Sequence, residues 1–187
     1  MPISHITKIF AVSDAKIAPM TADPAGGSAT YGATIDVPGI KSVGMSFDIE
    51  NKQLRGDNSL LDENSILTGL GLSVEWAKLS LDVQAALLGG TVTDGGTGTT
   101  ETATHARLGT NSLAYFKFEC KTPTDGVDTI GGDGHLVVYK CILSGFGSLG
   151  FAEEDYQTLS ADFRGSPRLA DSKWWDHVLN ETAVAIA

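Results

Sequence analysis

Hydrophobic and polar residues alternate with a period of two over much of the chain, the mark of strands with one buried and one wet face. The longest such stretch covers residues 41–79. Val43, Met45, Phe47 and Ile49 alternate with Ser42, Gly44, Ser46, Asp48 and Glu50. Further on, Ile66, Leu70, Leu72, Val74 and Trp76 alternate with Leu67, Gly69, Gly71, Ser73 and Glu75. Two strands are predicted here, joined by a long polar loop over 51–65 with a turn at Arg55-Gly56-Asp57-Asn58. Leu54, Leu60 and Leu61 are the large apolar residues of that loop, and they need a covering surface.

The same reading predicts three later strands. These cover 112–121, 135–144, which is apolar enough to be central, and 156–164. Residues 3–12 alternate loosely and suit a strand or a docking arm. Residues 15–31 carry Pro19, Pro24 and Gly26-Gly27, and read as loops or short strands joined by turns. Pro38-Gly39 fits the centre of a type II turn leading into the first long strand. One helix is convincing. Ser80 caps residues 81–88, Asp82 complements the dipole in the first turn, and Gly89-Gly90 ends it. Leu81, Ala85 and Leu88 are expected to pack it on the sheet. Residues 91–104 form a Thr/Gly-rich surface loop or hairpin tip. The C-terminal tract around Trp174 and Trp175 is a last strand or a short helix. Six or seven strands and one short helix make a mainly β domain spanning 1–187, a β-sandwich or barrel.

Charge sharpens the question of what the wet faces do. The 187 residues carry a formal net charge of −10. That balance argues against specific duplex DNA binding, which replaces counterions with Lys and Arg. The wet positions are small or acidic: Ser46, Asp48, Glu50, Ser73, Glu75 and, on the strand at 156–164, Asp162. They suit the solvated faces of a monomeric sandwich. They equally suit the wall of a shared channel, where small residues leave the bore clear and acids repel a polyanion.

Reactive constellations do not emerge. His5, His105, His135 and His177 lack metal-ligand spacing, and Asp125, Asp128 and Asp133 fail the calcium-loop pattern. No nucleophile elbow or P-loop occurs, so neither an enzyme nor a cofactor is expected. Cys120 and Cys141 read as buried thiols, with a cross-strand disulfide as the alternative. No run of 18 apolar residues predicts a membrane span, and the N-terminal stretch lacks the apolar core of a secretory signal.

The chain resembles the major tail tube proteins of long, non-contractile-tailed (siphovirus-type) bacteriophages, which share a fold with the tubes of type VI secretion and of contractile tails. The resemblance lies in DAKIAPMTADPAGGSATYGATIDVPGIKSVG (14–44), KQLRGDNSLLDENSILTGLGLSVEWAKLSLDVQAALLGG (52–90) and FAEEDYQTLSADFRGSPR (151–168). It implies hexameric rings whose inner sheets join into one barrel, stacked into a tube through which DNA leaves without specific binding. It makes Ser46, Asp48, Glu50, Ser73, Glu75 and Asp162 lumen candidates. It makes 51–65 an inter-ring contact, with Leu54, Arg55, Asp57, Leu60 and Leu61 as its candidates, and places the helix outside the barrel. It implies partners as well: further copies of the chain, and tail terminator, tape measure and baseplate proteins. It also implies a virion location, with assembly in the bacterial host cytoplasm. A monomeric sandwich module, decorating a capsid or binding carbohydrate, is the competing reading; Trp174-Trp175 is its candidate contact.

Overall fold

A computed structural model describes residues 5–57, 59–147, 153 and 156–186. The chain is mainly β, with a single short helix among the described residues. Strands β1 (Asp14–Ala22), β2 (Thr30–Tyr31) and β3 (Ile35–Asp36) precede the two longest, β4 (Ile40–Gly56) and β5 (Ser59–Trp76). Helix α1 (Leu81–Leu88) leads to a separate hairpin of β6 (Thr91–Gly95) and β7 (Thr102–Ala106). Then come β8 (Phe116–Lys121), β9 (Asp133–Phe146), β10 (Leu159–Gly165) and β11 (Trp175–Asn180).

All pairings are antiparallel, and the main sheet runs β2-β1-β8-β9-β10-β5-β4. β9 is central, as its apolar composition predicts. It pairs β8 on one side, and β10 and β11 end to end on the other. The sheet rolls over its apolar face. Val43 and Met45 at the β4 end look across a cleft at Cys120 and Leu136 of β8 and β9. Inside the roll lie Ile17, Leu70, Leu72, Val74, Trp76, Phe118 and Phe163, each almost fully buried. Phe116 meets Phe163 edge-on with ring centroids 5.0 Å apart, the offset geometry that aromatic quadrupoles favour. Cys120 and Cys141 are buried thiols without a disulfide.

Several expectations need correction. Residues 51–65 are not a loop: β4 and β5 stay paired to Gly56↔Ser59, so only a two-residue connection remains. Asp57 stands at φ 47°, as a tight hairpin turn requires; Asn58 lies outside the described residues. The period-two signal fades there because neither face is buried and composition is free to be polar on both. Ile66 leaves the core face as well. Asp48 pairs Gly69 but Ile49 pairs Leu67, so Thr68 is an extra residue that reverses the facing of β5 on its far side. Ile66 therefore sits opposite Glu50, and is 45% exposed.

Residues 14–22 form one strand despite Pro19, which occupies the last rung of the β1–β8 ladder, where the missing donor does least harm. The turn chemistry begins later, with Gly26 at φ 71°. Of the two readings of the Thr/Gly tract, surface loop or hairpin tip, the hairpin holds: β6 pairs β7, in keeping with the β-branched threonines. Among residues 5–12 no strand forms; Phe10 N–H donates to the Gly126 carbonyl instead, at 2.9 Å. Helix α1 is capped as expected, Ser80 Oγ accepting from Val83 N–H at 3.4 Å. It buries Val83, Gln84 and Leu87, whereas Leu81, Ala85 and Leu88 are half-buried. Its last carbonyls meet the following hairpin: Arg107 Nε donates to Leu88 O at 2.6 Å, and a His105 ring nitrogen lies 3.0 Å from Gly89 O.

Candidate assembly surfaces

The pairing register places the predicted wet positions on one sheet face. Ser160, Glu75 and Ser42 form one row across β10, β5 and β4. Asp162, Ser73 and Gly44 form the next, then Arg164, Gly71 and Ser46, then Gly69 and Asp48. Glu50 continues the face on the far side of the bulge. Ser46, Asp48, Glu50, Ser73 and Asp162 are exposed, and Glu75 is half-exposed.

Two glycines are needed for this face to pack as it does. A Cβ at Gly69 would fall 2.8 Å from Asp48 Oδ2, and one at Gly71 would fall 2.6 Å from Ser46 Oγ. Their absence lets Asp48 lie across β5 and reach Arg164 of β10 at 2.9 Å. Ser73 Oγ donates to Asp162 Oδ1 at 2.9 Å. At the margins Lys41 meets Glu75 at 3.2 Å and Lys52 meets Glu50 at 3.6 Å. The Lys41 ammonium, with Thr158 and Ser42, holds the Glu75 carboxyl below its usual range.

The face is therefore smooth but far less acidic than the strand pattern suggests. Asp48, Glu50, Glu75 and Asp162 are opposed by Arg164, Lys41 and Lys52, which leaves one negative charge in excess. The signal is legible in the sequence: Arg164 keeps the same alternation as Asp162. The acids of β4 and β5 dominate the strand pattern and hide that a base two residues from Asp162 neutralises one of them.

The second surface is the outer half of the β4–β5 hairpin. Beyond Phe47 and Asp48, which touch Trp175 and Arg164, the hairpin is exposed on both strands out to Ile66 and stands clear of the body as a two-stranded arm. From Asp48 to Gly56, at roughly 3.3 Å per residue, the arm projects about 25 Å. Leu54, Arg55, Asp57, Leu60 and Leu61 are gathered at its tip. Leu54 is 61% exposed, Leu60 51% and Leu61 62%. Leu54 pairs Asp62 and Arg55 pairs Leu60, with Leu61 as a second bulge, so apolar side chains point to both faces of the tip. Arg55 donates to Gln53 Oε1 at 3.0 and 3.3 Å within its own strand, which leaves the leucines uncovered.

Other features have structural roles. Trp174 and Trp175 are half-buried, and Trp175 packs 5.1 Å from Phe47, so the pair does not present an open aromatic platform. His135 lies between Glu119, at 2.9 Å, and Asp133, at 3.2 Å, all three buried. Burial opposes the charge on Asp133, but donors from Asn180, Val184 N–H and His135 together hold its carboxyl below the usual range. Sequence spacing gave no sign of this cluster, because strand pairing rather than proximity in the chain assembles it. Among the described residues no group of three or more His, Cys, Asp or Glu side chains is placed to hold a metal ion. No described helix is long and apolar enough to cross a membrane.

No family model matches the chain, and no curated protein does. Among solved structures, a chain in the cryo-EM structure of the anti-feeding prophage (AFP) baseplate, 6-fold symmetrised, superposes with a TM-score of 0.40 and 8% identity. The match covers 96% of this chain and 95% of that one.

Proposed function

We propose that the chain is a structural virion protein that self-assembles into stacked rings and builds a phage tail tube, a conduit for DNA ejection. The observation that carries this reading is the β4–β5 arm. A stiff hairpin with three uncovered leucines at its tip is costly to leave in water and has no surface to cover it on its own body. A second feature agrees. β4, 17 residues long, is an end strand of the sheet, with one edge unpaired among the described residues. Open edges of that length invite pairing with another chain, and a neighbouring copy in a ring supplies it. Heterologous contacts of both kinds close around an axis and repeat along it.

No catalytic step is required. The sheet face bearing Ser46, Asp48, Glu50, Ser73, Glu75 and Asp162 lines the bore. Its glycines and serines keep the wall low, and its near-balanced charge leaves little for a phosphate backbone to bind. Hexameric symmetry, the terminator, tape measure and baseplate partners, and assembly in the host cytoplasm rest on the family resemblance. Negative-stain electron microscopy of the purified chain tests the reading: rings or hollow filaments are expected, and a monodisperse monomer at high concentration would overturn it.

A further inference from the structure

The rolled sheet does not close, and the opening has a chemistry of its own. Between β4 and the β8–β9–β11 layer lies a cleft of about 720 Å³. Val43 and Met45 form one wall, Leu136 and Leu179 the other, and Ile9 and Val12 of the N-terminal segment run along it. Its walls are predominantly apolar, while His5, His177 and Lys121 stand among the lining groups. Val178, also in the lining, is 41% exposed, and Ile9 is 68% exposed.

The chain thus carries an apolar cleft and an uncovered apolar projection, and the two cannot meet within one molecule. Val43 lines the cleft, whereas the arm tip lies thirteen residues further along the same strand, roughly 40 Å away at about 3.3 Å per residue. Charge agrees with shape. The arm tip carries Asp57, Asp62 and Glu63 against Arg55, whereas among the described residues the cleft lining holds no acid: its polar groups include Lys121, itself 3.8 Å from Asp133, and the imidazoles of His5, His135 and His177. A projection on one part of a surface that complements a pocket elsewhere on the same surface makes a heterologous contact, which propagates rather than closing as a pair.

We infer that the cleft between β4 and β8–β9–β11 is the receptor for the β4–β5 arm of a second copy of this chain, seating Leu60 and Leu61 against Met45, Leu136 and Val178. The inference rests on the tube reading and adds to it the surface that receives the arm. One subunit's arm occupies the next subunit's cleft, so each copy is at once plug and socket, and growth is polar.

Cysteine pairing tests it. Leu61→Cys and Val178→Cys are introduced together and separately, and assembled protein is oxidised with copper phenanthroline and run on denaturing gels without reductant. The double variant is expected to give a ladder of covalent oligomers, with neither single variant doing so. Hollow tubes in the microscope without that ladder would overturn the inference and leave the tube reading intact, with the cleft open to a different occupant. Absence of any polymer in the unmodified protein would overturn both. A second variant guards against a crosslink missed for geometry. Val178→Glu is expected to raise the concentration needed for polymerisation at least tenfold while circular dichroism of the monomer stays unchanged. An unaltered polymerisation threshold in that variant would also overturn the inference.

Discussion

The arm leucines give the most quantitative test. Leu60→Ala with Leu61→Ala removes apolar surface that is 51% and 62% exposed in the single chain. Full burial of a leucine from water is favourable by about 2 kcal/mol, so covering these fractions in a partner is worth about 1 kcal/mol each. The isolated chain has little to lose. Neither side chain packs on its own core, and exposed substitutions away from caps and turns change stability by about 0.5 kcal/mol or less. The double variant should therefore melt like the parent. Assembly is different, since every added copy makes the arm contact once, and the whole of about 2 kcal/mol is lost per addition. At about 1.4 kcal/mol per factor of ten, the critical concentration for polymerisation rises roughly thirtyfold. Ultracentrifugal pelleting over a series of total concentrations reads this directly, as the plateau of protein left in the supernatant. A plateau unchanged within twofold, with ordinary tubes in the pellet, would refute the role given to Leu60 and Leu61.

Three further outcomes are expected from the same structure. Asp48→Lys with Glu75→Lys turns a face with one excess negative charge into one with three excess positive charges. Tubes should still form but should retain duplex DNA at low salt in a co-sedimentation assay, and equal DNA recovery from both proteins would count against the lumen assignment. Asp23 is half-buried, meets Lys140 at 2.7 Å and accepts from the N–H groups of Leu169 and Ala170. Burial opposes its charge, but those donors and Lys140 prevail and hold its carboxyl below the ordinary 3.8. Its stabilising contribution is thus fully present above about pH 4 and is lost as pH falls through the folded value. Asp23→Ala, which removes the carboxylate partner of the half-buried Lys140, should cost about 1.5 kcal/mol in denaturant melts at pH 7, with the gap to the parent shrinking below pH 4. Burial pushes the Cys120 thiol up to about 12 and raises Cys141 as well, so a thiol reagent at pH 8 should label neither until the chain is unfolded; rapid labelling of the native protein would contradict their burial.

Where one face of a strand is buried, the sequence was readable. Leu70, Leu72, Val74 and Trp76 announce a core strand and prove to be one, and the apolar run at 135–144 lies in a strand at the middle of the sheet, paired with three others. Periodicity failed where that condition fails. The arm has no buried face, so its strands look like a polar loop, and one inserted residue, Thr68, reverses the facing of Ile66 with no mark in the local pattern. The uncovered leucines stand out in the sequence itself, as large apolar residues in a polar tract. The ion pair of Asp48 with Arg164 was not, because 116 residues separate the partners and only the β4–β5–β10 ladder brings them together. The His135 cluster and the open cleft were illegible for the same reason, being properties of strand order rather than of any segment.

A helical cryo-EM reconstruction of the polymer shows whether copies of this chain stack into a tube with the glycine- and serine-bearing face of β4, β5 and β10 turned inward. A hollow filament is expected, with Ser46, Ser73 and Asp162 on the bore and each arm crossing into the next ring. A filament with that face turned to the outside, or arms that end without touching a neighbour, would contradict it.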